Sequence, residues 1–345
     1  MKKFFSNYKY LFIFIGIVSG VITVSAFSQA TSSNLPKVDD YLRSKFEVLG
    51  PVPIPVENQP TENKVKLGKM LFYDKRLSGN NQVSCITCHN PDLEFTDGRK
   101  IAIGVDNSVG KRNTPTVINT AYFQKLFWDG RASSLEEQAL GPIQNPVEMN
   151  QNLDDLVKEL NEVPEYKKLF SESFNGKISK KNIAEALASF QRTLIDKNTP
   201  FDQYMNGDDN ALTTQEKLGM EIFAGKGNCL TCHAGASFSD NNFDNIGVNN
   251  GDLGRFEVTK LAEDKGKFRS PQLRNLKYTA PYMHDGSLKT LEDVVKFYSD
   301  GKHVDKFTSE DFQPLNLSDK EQVALVSFLI SMSGEPFKID PPTLP

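Results

Sequence analysis

Two stretches decide how this chain folds: Cys85-Ile86-Thr87-Cys88-His89 and Cys229-Leu230-Thr231-Cys232-His233. Each reads C-x-x-C-H, the signature of covalent haem attachment, in which two thiols take the porphyrin vinyl groups and the histidine binds the iron. The 345-residue chain has four cysteines, and all four lie in these motifs. A four-cysteine zinc site is the alternative, but zinc would leave the histidine after each pair unexplained. We therefore predict two covalently bound c-type haems, with His89 and His233 as iron ligands.

The first 30 residues predict export. Three lysines precede an uncharged apolar run over residues 11–27, and Ser28-Gln29-Ala30 fits a small-x-small cleavage site. This order is that of a secretory signal peptide, and we favour cleavage near Ala30 over a retained N-terminal anchor. Because c-type haem is attached outside the cytoplasm, the predicted compartment is the periplasm. Loss of the three lysines changes the formal charge from −4 to −7, and an acidic chain without basic runs argues against nucleic acid as a partner.

Beyond this segment the periodic pattern is helical. Leu153, Leu156, Val157 and Leu160 share one helix face. Helix starts are predicted at four capping sequences, Ser134/Glu137, Thr213/Glu216, Thr290/Asp293 and Ser318/Glu321. No stretch shows convincing apolar–polar alternation, so the predicted class is all-α. Residues 31–62, with Pro51-Val52-Pro53-Ile54-Pro55, are predicted to be an extended strap that leads into the first domain.

The chain also repeats itself. Pieces of the first half recur in the same order in the second: Lys66-Leu67-Gly68 and Lys217-Leu218-Gly219, Thr114-Pro115 and Ser270-Pro271, Trp128-Asp129-Gly130 and His284-Asp285-Gly286. We interpret the repeat as two tandem cytochrome c-type haem domains, over residues 63–205 and 206–336, followed by a tail at 337–345. A polar run at 206–210 suits a linker between them.

The position opposite each proximal histidine decides between chemistry and electron transfer, because an open iron can bind peroxide and a closed one cannot. The two remaining histidines, His284 and His303, both lie in the second copy. In repeat register Tyr298 matches Pro142, each 27 residues after a matched proline. Tyrosine can ligate iron through its oxygen, whereas proline has no side-chain donor. The first haem is therefore predicted to be open, and the candidates for the second iron are Tyr298, Met283, His284 and His303.

An open haem needs a group that moves a proton between the two peroxide oxygens. Gln138 and Glu148, which follow the first motif, are the polar candidates. A carboxylate over an apolar haem face has its pKa raised by desolvation and can act as both acid and base. The alternative is that Glu148 is a solvated surface acid and Gln138 an exposed helix residue.

Further segments give the chain a resemblance to the bacterial dihaem cytochrome c peroxidases, including their MauG-like branch. Besides the two haem motifs they are Arg112-Asn113-Thr114-Pro115-Thr116, Phe127-Trp128-Asp129-Gly130-Arg131, Gln138 with Gly141-Pro142 and Glu148-Met149-Asn150, and Thr279-Ala280-Pro281-Tyr282-Met283-His284-Asp285-Gly286. The resemblance runs from about residue 64 to 334. It implies a peroxidatic haem in the first half and an electron-transfer haem in the second. Glu148 and Gln138 match the family's peroxide-handling pair.

The resemblance implies further roles. A calcium ion would lie between the halves, bound by Asn113 and by the main-chain oxygens of Thr279 and Pro281, and such oxygen ligands suit a hard cation. Trp128, the only tryptophan, matches the family's tryptophan between the haems, and we prefer this relay role to that of a core aromatic. Dimers are usual in the family, so a homodimer is allowed.

Two departures from typical members matter. Those members carry a histidine, in the loop after the first motif, that caps the iron until reduction releases it, and residues 101–111 contain none. Tyr298 stands where typical members place an axial methionine. Both departures are similar to MauG, whose first haem is open and whose second has His/Tyr ligation. MauG's surface tryptophan, which extracts electrons from a protein substrate, has no counterpart once Trp128 is assigned.

These features predict an exported dihaem c-type peroxidase that needs no reductive priming. It would reduce hydrogen peroxide with electrons from a small cytochrome c or cupredoxin. Two alternatives stay open. One is a MauG-like oxidase that uses peroxide to oxidise an organic or protein substrate, and the other is an electron carrier with two closed haems.

Overall fold

A computed structural model of the chain describes residues 38–248, 250–301 and 307–345. The predicted signal segment and His303 lie outside these residues. None of the helices in the described part of the chain has the length and apolarity needed to span a bilayer.

Helices dominate the described residues. The α-helices are α1 Val38–Arg43, α2 Glu62–Tyr73, α3 Cys85–Cys88, α4 Leu135–Gln144, α5 Leu153–Glu162, α6 Pro164–Phe174, α7 Lys180–Gln191, α8 Pro200–Met205, α9 Thr214–Ala224, α10 Phe256–Thr259, α11 Leu291–Asp300 and α12 Asp319–Ser331. Two short strands, β1 Phe243–Asp244 and β2 Phe268–Arg269, pair antiparallel. The prediction of a helix-rich fold is confirmed. The all-α class misses only this sheet, because two-residue strands are too short to show alternation.

Four helices begin at the predicted caps. The hydroxyl oxygens of Ser134, Thr213, Thr290 and Ser318 each accept a hydrogen bond from the backbone N–H three residues later. In the last three the acidic residue also bonds back to the cap, which completes a capping box. In α4 the carboxylate of Glu137 instead accepts from the residue before the cap. Local sequence alone therefore fixes where these helices start.

Two large hydrophobic cores, with a smaller third cluster that includes Phe123, Leu126 and Leu135, hold the described residues together. The first joins α2, α4, α5, α6 and α7 through side chains that include Leu67, Leu71, Phe72, Ile143, Leu156, Phe170 and Leu187. The second joins α8, α9, α11 and α12 through side chains that include Phe201, Met220, Phe223, Val295, Leu325 and Phe328. Each core is built around one haem motif, with Cys85 packed against the first and Cys229 against the second.

One helix pair in each core crosses at a glycine. A Cβ on Gly68 of α2 would lie 1.9 Å from the carbonyl oxygen of Ala186 in α7. A Cβ on Gly219 of α9 would lie 2.0 Å from the carbonyl oxygen of Ala324 in α12. Both distances are well inside van der Waals contact, so neither crossing has room for a side chain. The repeated Lys-Leu-Gly sequence thus encodes the same close crossing twice.

The backbone between the haem motifs and α4 or α11 also repeats. Phe127 and Met283 have φ of 66° and 73°, values rare for residues with a Cβ. Asn119 and Asn275 have φ of 60° and 63°. Isolated bridges join residue 126 to 132 and residue 282 to 288. These pairs are all 156 positions apart, which shows that the sequence repeat is a repeat of conformation.

The terminal segments do not follow the predicted order. Residues 38–43 form α1 rather than an extended strap, and Leu42 and Phe46 are buried in the second core. Arg43 anchors this helix by donating from Nε to the carbonyl oxygen of Tyr204, 2.8 Å away. At the other end Phe337 packs against the first core. The first half is therefore covered by a segment near residue 337, and the second half by residues 42–46. Helical periodicity cannot predict contacts between segments so far apart in sequence.

Candidate dihaem active site

The first haem motif occupies α3 and the residue that ends it. At the start of this one-turn helix the backbone N–H of Ser84 donates to the hydroxyl oxygen of Thr87 at 3.0 Å. His89 follows, and its Nδ1 donates a hydrogen bond to the carbonyl oxygen of Phe95 at 3.0 Å. Because a carbonyl only accepts, Nδ1 carries the proton and Nε2 keeps the lone pair that binds iron.

The second motif repeats this arrangement on a 3₁₀ turn at Cys229–Thr231. His233 Nδ1 donates to the carbonyl oxygen of Phe238 at 2.8 Å. Burial lowers the pKa of both His89 and His233, so both imidazoles are neutral, as an iron ligand must be. The two accepting phenylalanines, Phe95 and Phe238, both have positive φ, 58° and 54°.

One cavity of about 920 Å³ connects the two motifs. Its lining includes Cys88, His89, Cys229, Cys232 and His233. None of the four cysteines forms a disulfide, so all four are available for thioether bonds. The same lining contains a buried guanidinium, that of Arg269, whose Nε has no hydrogen-bond partner. Paired thiols, two neutral imidazoles and an uncompensated buried cation fit two haems with anionic propionates.

Tyr298 and Pro142 occupy matching places in matching helices. Tyr298 lies eight residues after the cap of α11, and Pro142 lies eight residues after the cap of α4. Both side chains line the cavity. Pro142 also lines a smaller pocket of about 70 Å³ together with His89. Burial raises the pKa of Tyr298, and the nearby thiols of Cys229 and Cys232 raise it further. The phenol therefore lies close to the second motif.

The other described candidates for the second iron lie nearby. Met283 and His284 line the same cavity. The His284 ring stacks on Phe268, with ring centroids 3.6 Å apart, and meets Trp128 edge-on at 6.4 Å. Burial lowers the pKa of His284 to about 4. His284 therefore lies in an aromatic stack, whereas Tyr298 is the candidate whose surroundings include both thiols of the second motif.

Glu148 and Gln138 both lie beside the first motif. Both line the small pocket that also contains His89 and Pro142. Burial raises the pKa of Glu148, and Arg131 and a hydrogen bond from Asn145 partly oppose this. Glu148 is thus not a solvated surface acid. It is a half-buried carboxyl that faces the first haem position and can exchange a proton there.

Asn145 and Arg131 are site residues that the sequence reasoning missed. Asn145 Nδ2 donates to Glu148 Oε1 at 2.6 Å. Arg131 lies over the ring of Phe127 at 3.5 Å from guanidinium carbon to centroid and pairs with Asp129. The signal for Asn145 was its position three residues before Glu148, within one turn of chain. Arg131 ends the segment Phe127-Trp128-Asp129-Gly130-Arg131, but its proximity to Glu148 depends on tertiary packing.

Trp128 lies where the two halves meet. Its indole N–H donates to the carbonyl oxygen of Asn113 at 2.9 Å, and its own carbonyl oxygen accepts from the N–H of Arg269 at 2.8 Å. The ring lines the cavity shared by both motifs and is half-buried. Trp128 is therefore held on both sides and faces the space between the two haem positions.

The residues expected to bind calcium line the same cavity. They are Asn113, Thr279 and Pro281. The amide nitrogen of Asn113 donates to the carbonyl oxygen of Arg99 at 2.9 Å, which turns its Oδ1 away from that carbonyl. Within the described ranges no group of three or more His, Cys, Asp or Glu could hold a metal. A calcium ion here would therefore be bound by neutral amide and carbonyl oxygens.

Comparisons with known proteins agree with this architecture. A family model for di-haem cytochrome c peroxidase matches residues 62–210. The chain is 39% identical over 341 residues to the methylamine utilization protein MauG of Methylophilus methylotrophus, which covers 96% of this chain and 99% of that protein. It is 39% identical over 333 residues to a cytochrome-c peroxidase of Pseudomonas sp. (strain SCT), with 86% and 88% covered.

A solved structure extends this to three dimensions. The crystal structure of a MauG-like protein associated with microbial copper homeostasis matches with a TM-score of 0.78 and 32% identity. The match covers 84% of this chain and 94% of that one. The chain therefore belongs to the di-haem cytochrome c peroxidase family, whose members carry two c-type haems.

Proposed function

We propose that the protein is a periplasmic dihaem peroxidase that reduces hydrogen peroxide to water. One observation carries the proposal: in the cavity, Pro142 stands at the position that Tyr298 takes in the other half. A proline cannot ligate iron and a tyrosine can. Pro142 would then leave a haem held by His89 open to peroxide, and Tyr298 would close a haem held by His233, which would serve electron transfer.

The haem at His89 supplies an iron that binds and activates the peroxide. The protein manages the protons. Asn145 holds Oε1 of Glu148, so Oε2 is the atom that accepts a proton from bound peroxide and returns it to the departing oxygen. Its raised pKa makes the carboxylate a better acceptor for this proton and keeps the protonated form populated until the proton is passed on. Gln138 orients the peroxide by donating from its amide.

Electrons reach this site from the second half. Each peroxide takes two electrons and two protons and yields two water molecules. We assign Trp128 as the relay because it lines the space common to both haem positions and is held rigidly by Asn113 and Arg269. A small cytochrome c or a cupredoxin supplies the electrons. The calcium ion at Asn113, Thr279 and Pro281 would tie the residues around Trp128 together.

A second candidate function is a MauG-like oxidation of an organic or protein substrate. Two observations favour it, namely Tyr298 beside the second motif and the absence of a histidine in residues 101–111. Against it, the one tryptophan of the chain lies inside the cavity. A surface tryptophan that takes electrons from a bound protein is therefore missing.

The test is steady-state turnover of the purified dihaem protein with hydrogen peroxide and reduced cytochrome c or cupredoxin. The expected result is oxidation of two donors per peroxide without prior reduction of the enzyme. Slow turnover with every small donor, together with fast oxidation of an organic substrate, would select the MauG-like function. A resting ferric spectrum with two six-coordinate low-spin haems and no cyanide binding would select an electron carrier.

A further inference from the structure

Arg269, the second residue of β2, carries a charge that the described protein does not neutralise. Its side chain is 8% exposed and lines the cavity between the haem motifs. One Nη1 hydrogen bond goes to the carbonyl oxygen of Ser270, 3.1 Å away, and the guanidinium lies over the ring of Phe123 at 4.2 Å. Its Nε has no partner. A buried cation with so few partners is costly unless an anion joins it.

Other buried arginines of the chain are paired. Arg274, fully buried, forms two hydrogen bonds of 2.8 Å to the carboxylate of Asp202. Arg192 forms a similar fork with Glu136, at 2.7 and 3.0 Å. For Arg269 no carboxylate among the described residues offsets the burial that lowers its pKa. Within the described ranges, then, Arg269 has room for an anion and no carboxylate that fills this role.

The sequence repeat places Arg269 at the counterpart of Asn113. Arg269 precedes Ser270-Pro271 as Asn113 precedes Thr114-Pro115, and their backbone bonds correspond. The N–H of Arg269 donates to the carbonyl oxygen of Trp128, and the N–H of Asn113 donates to that of His284, both at 2.8 Å. The side chain thus lies at the counterpart of the residue for which we propose calcium binding. One half presents an oxygen ligand there, and the other presents a cation.

The position of Arg269 selects one haem. Two residues later, the backbone of Pro271 lies near the ring of His233, as that of Pro115 lies near the ring of His89. Ser270 is also held to the loop that follows the second motif, because Ser239 donates to its carbonyl oxygen at 2.6 Å. The segment that carries Arg269 would therefore lie beside a haem bound by His233, and its guanidinium lies over the ring of Phe123 in the first half.

We propose that Arg269 is a cofactor-binding residue whose guanidinium binds a propionate of the haem attached at Cys229 and Cys232, as a built-in cation at the pseudo-symmetric counterpart of Asn113. The guanidinium fork suits a carboxylate, and burial strengthens the pair. A positive charge at the haem edge stabilises the reduced iron. The pair also neutralises the propionate, whose negative charge alone would stabilise the oxidised iron. The proposal depends on the two haems of the family and not on the reaction that they carry out.

The test is a potentiometric titration of the dihaem protein and of Arg269→Gln, with the two haems followed by their separate absorption bands. The midpoint potential of the haem at His233 should fall by about 59 mV, a tenfold change in the one-electron reduction equilibrium. The haem at His89 should shift much less. Arg269→Lys keeps the charge with fewer donors and should recover most of the potential.

Arg255→Gln is the matched control. Arg255 also crosses between the halves and bonds only to backbone carbonyls there, at residues 129 and 130, so its loss removes the same charge without removing a propionate partner. Its midpoint potentials should equal those of the wild type. Covalent haem content identifies any variant that fails to mature.

If Arg269→Gln does not mature, resonance Raman spectra of Arg269→Lys take its place. The propionate bending mode of the His233 haem should shift relative to the wild type. Unchanged potentials in mature Arg269→Gln, an unchanged propionate mode in Arg269→Lys, or a shift confined to the haem at His89 would each overturn the assignment.

Discussion

Helices α4 and α11 both begin at a hydroxyl cap, follow the same turn and lie beside a haem motif. They differ in the side chain that each carries near its C-terminal end. Eight residues after its cap, α4 has Pro142 and α11 has Tyr298. On the α4 side the pocket near His89 also contains Glu148 and Gln138. The α11 side presents a phenol beside two thiols. The two matched helices thus present different groups to their motifs, a proline and two polar side chains on one side and a phenol on the other.

The largest expected effect is on the α4 side. Glu148→Gln removes the proton acceptor but keeps the shape, so peroxide turnover should fall by about 100-fold or more. The rate of the first reaction with peroxide, measured by stopped flow, checks this. Glu162→Gln, an exposed change on α5, is the control and should leave the rate unchanged. Full activity in Glu148→Gln would show that Glu148 is not the proton acceptor at the first haem.

A smaller effect is expected between the two sides. Trp128→Phe keeps an aromatic ring but loses the indole bond to Asn113. Electron transfer from the haem at His233 to the haem at His89 should slow by about tenfold, equal to ~1.4 kcal/mol of barrier. Flash reduction followed by absorbance measures it. Peroxide binding at the first iron should not change, and a loss of that binding would mean that Trp128 supports the pocket rather than the relay.

Tyr298→Phe tests the α11 side directly. Without the phenol oxygen the second iron should become accessible, so the oxidised protein should bind two equivalents of cyanide instead of one. Turnover should change by less than about tenfold, because the chemical site is intact. Tyr278→Phe, whose hydroxyl bonds the carbonyl oxygen of Gly334, is the control. A stoichiometry that stays at one would assign the second iron to Met283 or a histidine.

The smallest effect concerns pH. Burial raises the pKa of Glu148, and the carboxylate accepts the peroxide proton, so the rate should fall as the pH drops through that raised value. The hydrogen bond from Asn145 lowers this pKa. Asn145→Ala should therefore move the acidic limb of the pH–rate profile to higher pH. Asn161→Ala, which loses only a bond to the backbone of its own helix, should leave the limb in place.

Much of the candidate site could be predicted from sequence because it depends on short spacings. The haem motifs, the helix caps and the register that sets Pro142 against Tyr298 all follow from residues counted along the chain. Glu148 could be proposed, but whether it was buried or solvated could not be decided. Its burial depends on the chain after α4 packing against residues 104 and 105, where the N–H of Val105 donates to its carbonyl oxygen at 2.8 Å, and these residues are more than 40 positions away.

The parts that sequence could not predict are contacts between distant residues. Leu42 and Phe46 pack in the second core, more than 150 positions from most of their neighbours, and no periodicity marks that destination. Arg269 stood in the sequence as an ordinary basic residue. Only its burial and its unpartnered Nε distinguish it from the paired Arg274.

The sequence by itself determined that two haems are attached, that the fold is helical and duplicated, and which side chains differ between the copies. These are local properties, because thioether formation, capping and helical periodicity need only neighbours along the chain. Tertiary structure alone decided that Glu148 is desolvated beside His89, that Trp128 is held between the halves, and that Arg269 is buried without a carboxylate. Desolvation and charge pairing depend on what surrounds a group in space, and only folding brings those surroundings together.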